Sequence, residues 1–163
     1  MNQAMNNRSA HKLSMVVQYA SDARQLPSRA QLRRWVKAAL QRDASMTIRI
    51  VDQAEGRKLD KNYRGKDYAT NVLTFVYDDA DFLHGDVVIC APVVEKEARE
   101  QHKDLMAHYA HLAIHAALHL QGYDHENDAD AEAMETLETA IMLKLRRSDP
   151  YQQTRTKNGR SRK

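Results

Sequence analysis

The stretch HLAIHAALHLQGYDH, residues 111–125, constrains this chain more tightly than any other segment. Histidines stand at 111, 115 and 119, followed by a glycine at 122 and another histidine at 125. A spacing of four puts side chains on one face of a helix, and Gly122 is a natural helix stop. Zinc takes imidazole nitrogens at about 2.0–2.1 Å, so two ligands of one ion lie within about 4 Å of each other. His111 and His119 are about 12 Å apart in helix rise, so the three helical histidines cannot share one ion. Gly122 lets the chain leave the helix and carry His125 back towards the His115/His119 pair. Nothing comparable serves His111 and His115. The expected site is one zinc ion held by His115, His119 and His125 at the end of a long helix. Its fourth position is left for water, the arrangement of a catalytic rather than a structural zinc. His108 and His111 read as structural or surface residues.

The same spacing occurs in metzincin peptidases, where a glutamate beside the first histidine is the general base. Here that position is Ala116. The site therefore reads as hydrolytic but lacks a central part of ordinary zinc-peptidase chemistry.

The rest of the chain reads as one α+β domain, with a small sheet of about four strands packed against helices. LSMVVQYA (13–20), MTIRIVD (46–52), NVLTFVYD (71–78) and GDVVIC (85–90) have strand composition. Pro27-Ser28 opens a helix in which Leu32, Trp35, Val36, Ala39 and Leu40 recur at helical spacing. A polar helix or turn is expected through Lys58–Tyr63. Helical residues then run from Pro92 to about Gln121, with a break expected near His102–Asp104. Asn127 or Asp128 caps a last helix bearing Ala131, Met134, Leu137, Ile141 and Leu145. The expected organisation is a flexible N-terminus (1–12), a folded domain (13–146) and a basic, disordered tail (147–163).

Charge is unevenly spread. Residues 144–163 hold eight Lys/Arg and one Asp, so the net +3 of the chain combines +7 there with −4 in the residues before it. Such a tail suits either a nucleic-acid backbone or plain solvation. Residues 24–42 also hold six Lys/Arg and no acid, giving the first helix a basic outer face. The single cysteine, Cys90, fits a reducing compartment. No signal peptide and no run of roughly 20 apolar residues is present, so the expectation is a cytoplasmic protein without a membrane partner.

Two longer blocks resemble a known family. HAALHLQGYDH (115–125) is similar to the HGxLHLxGYDH signature of the YbeY family of rRNA maturation endoribonucleases. LDKNYRGKDYATNVLTF (59–75) resembles its LNxxYRGKDxPTDVLSF, and HGDVVIC (84–90) its LGDIVI strand. The resemblance implies a zinc-dependent, single-strand-specific endoribonuclease acting on the 16S 3′ end in rRNA maturation and small-subunit quality control. Its implied partners are ribosomal RNA, the small ribosomal subunit and assembly factors. The family's zinc ligands fall on His115, His119 and His125, and its functionally important arginine on Arg64. With these residues in the catalytic role, a guanidinium fork would suit a scissile phosphate. Asp124 reads equally as general base or as a loop residue supporting His125. Asn71 and Thr74 stand where the family often has Asp and Ser, and Tyr68-Ala69 lacks its frequent proline. The competing readings are a non-catalytic RNA-binding assembly factor with a structural metal, and a metallopeptidase.

Overall fold

The computed structural model describes residues 11–65, 68–77, 82–123 and 127–147. The elements run β1 (Leu13–Ala20), α1 (Arg29–Ala39), β2 (Ala44–Val51), α2 (Gln53–Arg64), β3 (Val72–Tyr77) and β4 (Leu83–Cys90). They continue as α3 (Ala91–Glu100), α4 (Leu105–Leu120) and α5 (Asp128–Arg147). These residues fall into two compact units dividing after Tyr123, so that β1–β4 and α1–α4 lie in the first and α5 in the second. The expected α+β class with a four-stranded sheet is what the chain adopts.

Sheet order is β1-β2-β4-β3, with β1, β2 and β4 parallel and β3 antiparallel to β4 at one edge. Strict alternation in β2 decides the two faces. Met46, Ile48 and Ile50 are buried and lie in register with Gly85, Val87 and Ile89 of β4. On that face, Gly85 admits close approach by α4: a Cβ there would stand 2.7 Å from the Leu120 Cδ1. α1 packs beside α4 and contributes Leu32, Trp35, Val36 and Ala39 to the core. The other face carries a smaller cluster of Val51, Leu73, Val88 and Cys90, with Leu59 of α2 and Phe75 of β3 against it.

Local chemistry sets most helix limits. Ser28 opens α1 with a capping box, its hydroxyl accepting from the Gln31 N–H while the Gln31 side chain accepts from the Ser28 N–H. α2 is a complete three-turn helix, longer than the stretch expected through Lys58–Tyr63. Only Gly56 and Asp60 are fully buried along it, so its apolar periodicity is faint. Asp52 precedes α2 without capping it. Its carboxylate instead accepts from the Ser21 hydroxyl and the Asp22 N–H, fastening the β1–α1 connection to the end of β2. The helical run after Pro92 does break where expected: His102 has φ of 55°, and the Asp104 carboxylate then caps α4 through the Ala107 N–H.

Within the second unit, the Asn127 side chain caps α5 by accepting from the Asp130 N–H. Met134, Ile141 and Leu145 form a buried stripe along that helix. Among the described residues no helix is long and apolar enough to cross a membrane. The expected N-terminal segment up to residue 10, and the tail beyond Arg147, lie outside the described residues.

Candidate active site

α4 owes its character to what it buries. From His108 to Leu120 every residue is buried except His111, His115 and His119, which are half-buried. An apolar helix of this kind would pack on all sides; here one stripe of imidazoles at a spacing of four interrupts it. Along the stripe the His115 and His119 rings lie nearly parallel, 8° apart in plane with centroids separated by 6.4 Å. The His111 ring stands edge-on to His115, its plane at 71° with the centroids again 6.4 Å apart. Of the two pairs that spacing offers, His115 with His119 is the one whose rings share an orientation. Ala116, where a metzincin would carry its glutamate, is fully buried and faces away from the stripe.

The end of α4 is built to turn. The Tyr123 N–H donates to the Leu118 carbonyl and the Gly122 N–H to the His119 carbonyl, the paired bonds of a Schellman motif. That motif needs the left-handed conformation, and Gly122 has φ of 102°. Gln121 then pins the turn to α1. Its amide donates to the Ala39 carbonyl at 2.8 Å and the Ala117 carbonyl at 3.0 Å, while its oxygen accepts from the Gln41 N–H at 2.7 Å. The Gln41 amide donates in turn to the Tyr123 hydroxyl. His119 is therefore held one turn before a fixed corner.

At the other end of the helix, His108 is buried and its Nε2 meets the Glu97 carboxylate of α3 at 2.9 Å. The Asn71 amide donates to the same carboxylate, at 3.1 and 3.3 Å to its two oxygens. Asn71 also gives its carbonyl to the Cys90 N–H. One carboxylate thus joins the start of β3 to α3 and to the histidine helix. An aspartate at position 71 would face Glu97 charge to charge, so the amide found here suits this neighbour.

Arg64 lies in the last turn of α2, before Gly65 in the left-handed cap position. Its Nε is 3.4 Å from the carboxylate of Asp60, one turn earlier. Asp60 is fully buried while the Arg64 side chain remains 42% exposed. Asp60 thus sets a buried carboxylate at ion-pair range of the guanidinium root, while the Arg64 side chain stays partly in solvent. Cys90 is buried at the end of β4, and burial pushes its thiol up, which suits an inert core thiol.

Of the residues expected at the site, His115 and His119 stand together on α4, and Arg64 stands on α2. His125 and Asp124 lie outside the described residues. Among the described residues no three His, Cys, Asp or Glu side chains gather as a metal cage. Two half-buried imidazoles on successive turns nevertheless form a donor set that suits zinc. Three supporting residues escaped the sequence reading: Asp60, Glu97 and Gln121. Asp60 alone left a trace, as a carboxylate one helical turn before Arg64.

Comparison with known proteins matches residues 9–146 to the family described as Endoribonuclease YbeY. A protein of that name from Nitrosospira multiformis is 57% identical over 155 residues, covering 86% of this chain and 82% of that one. Another from Thiobacillus denitrificans is 58% identical over 144 residues, covering 87% of this chain and 98% of its own. Among solved structures, the solution structure of TM1509 from Thermotoga maritima matches with a TM-score of 0.58 and 26% identity, over 83% of this chain and 93% of that chain.

Proposed function

Because this chain belongs to the endoribonuclease YbeY family, and so is a hydrolase acting on RNA phosphoester bonds, we propose that it cuts single-stranded ribosomal RNA with a zinc ion on His115, His119 and His125. The proposed setting is maturation of the 16S 3′ end and quality control of the small subunit, in the cytoplasm, with the subunit and its assembly factors as partners. The imidazole stripe of α4 carries this reading: an otherwise buried helix keeps three histidines at its one open edge and turns sharply just beyond them.

When bound, zinc supplies positive charge that stabilises a phosphoryl oxygen or acidifies a water. The remaining work falls to the chain. His115 and His119 hold two coordination positions from a rigid helix, and Gln121 keeps the corner beyond them in place. Arg64 offers its guanidinium to the scissile phosphate, where charge builds as the P–O bond breaks. Asp60 keeps that guanidinium oriented. Attack by water needs a proton acceptor, for which Asp124 is the proposed group. A cut made by the RNA 2′-hydroxyl instead leaves a 2′,3′-cyclic phosphate, which end analysis of the products reads directly.

The test is cleavage of a labelled structured rRNA fragment by zinc-loaded wild type, His119→Ala and Arg64→Lys proteins, each checked for folding. Arg64→Ala would strand the buried Asp60 carboxylate, whereas lysine keeps a cation beside it and removes only the fork. Loss of cutting in His119→Ala and slow cutting in Arg64→Lys, both folded, is the expected result. Wild-type rates in both would refute the proposed site.

A further inference from the structure

The sheet face covered by α2 ends in an aromatic surface that the metal chemistry does not use. Tyr63, beside Arg64, is 66% exposed, and Tyr77 at the end of edge strand β3 is 53% exposed. Phe75 lies between them. Its ring meets Tyr63 edge-on at 5.0 Å between centroids, and it shares a face of β3 with Tyr77. The Tyr77 hydroxyl donates to Asp86, the residue opposite Phe75 in the neighbouring strand, so the Tyr77 ring leans along Phe75. That hydrogen bond, chiefly, pushes the Tyr77 phenol up, and nearby Tyr63 adds to it.

The exposed charge of α2 has one sign. The exposed charged residues of α2 are all cations: Arg57, Lys58, Lys61 and Arg64. Its two acids are taken up elsewhere. Glu55 is gripped by Arg49, with bonds of 2.6 and 3.0 Å, and Asp60 is buried. Among the described residues, Asp86 sets a carboxylate against the aromatic row through Tyr77; Asp78, Asp79 and Asp81, next in the chain, lie outside them. Large rings left in water cost solvation unless something covers them, and exposed rings beside a cationic helix suit a partner that is anionic along its backbone and aromatic along its side.

We propose that Tyr63, Phe75 and Tyr77 form a base-stacking platform for single-stranded RNA, with Lys58 and Lys61 on the outer face of α2 attracting its phosphates at longer range. The inference rests on the RNA-cutting reading and supplies its selectivity. Bases in a duplex are already stacked on each other, whereas unpaired bases present free faces to the rings. Arg64 follows Tyr63 in the last turn of α2, so the phosphate-binding arginine and the platform share one end of that helix.

The test is fluorescence anisotropy with the full chain and a labelled 2′-O-methyl single strand of about ten nucleotides, which resists cutting, beside a hairpin duplex. Tyr63→Leu and Tyr77→Leu keep apolar bulk and remove the ring. Each is expected to weaken single-strand binding by about fivefold to a hundredfold, with little change for the duplex and none in salt slope. Tyr63→Trp should bind like wild type, and Lys58→Ala/Lys61→Ala should flatten the salt dependence. Unchanged single-strand affinity in both leucine variants would overturn the platform and leave the rings to a protein partner. Equal losses for single strand and duplex would also overturn it. Absence of cutting with these binding differences intact would overturn the cutting reading alone.

Discussion

Replacing Gly85 by alanine tests how closely the sheet and the histidine helix are fitted. The added Cβ would stand 2.7 and 2.9 Å from the two Leu120 methyls and 3.3 Å from its Cγ. Relaxed carbon–carbon contacts need about 3.5–4.0 Å, so the shortfall is close to 1 Å at the nearest atom. Leu120 is 5% exposed, so its methyls cannot swing into solvent. Overpacking of this kind costs about 1–3 kcal/mol, which at roughly 2–4 °C per kcal/mol lowers Tm by about 2–12 °C. Denaturant titration of the four members of a cycle with Leu120→Ala isolates the contact. Leu120→Ala alone should cost about 2–5 kcal/mol through the cavity it leaves. In that background the new methyl enters vacated space, so Gly85→Ala should become neutral or stabilising, a coupling of at least about 1 kcal/mol. Additivity within about 0.5 kcal/mol would refute the contact as the source of the cost.

Three further expectations follow from the same geometry. Gly122→Ala meets no heavy atom within 4 Å, so its cost is purely conformational, about 1–2 kcal/mol by denaturation; an unchanged midpoint would contradict the left-handed turn. Gln121→Leu keeps bulk but removes the bonds to Ala39, Ala117 and Gln41, and should cost about 1–3 kcal/mol with faster amide exchange at Gln41; native-like exchange there would count against the clamp. The Arg49 guanidinium, chiefly by its hydrogen bonds, holds the Glu55 carboxyl below its ordinary value. Its stabilisation is present above the unfolded value of about 4.3 and fades as pH falls through the folded one. Wild type should exceed Glu55→Gln by under about 1 kcal/mol at pH 6, and the gap should shrink as acid protonates the carboxylate; a gap constant with pH would argue against the ion pair.

Much of this molecule was legible in short stretches of chain. The His111, His115 and His119 stripe, the Ser28 cap, the break before Asp104 and the stop at Gly122 all depend on partners within about five residues. A linear reading can therefore weigh them. α2 was harder: burying little besides Gly56, Leu59 and Asp60, it shows a weak apolar rhythm, and its length became plain only once the sheet lay beneath it.

The sequence by itself thus determined most element types, the shared helix face of His115 and His119, and the turn beyond them. Tertiary structure alone decided the strand order, the antiparallel edge of β3 and the groups that hold the site. Asn71 and Glu97 are 26 residues apart and Gln41 and Gln121 are 80 apart, yet each pair shares a hydrogen bond. No local rule ranks such pairings, because a polar side chain finds its partner only after packing has excluded water from both. Asp60 makes the same point. Its spacing to Arg64 was visible in the chain, but its complete burial, which makes that arginine necessary, exists only in the folded unit.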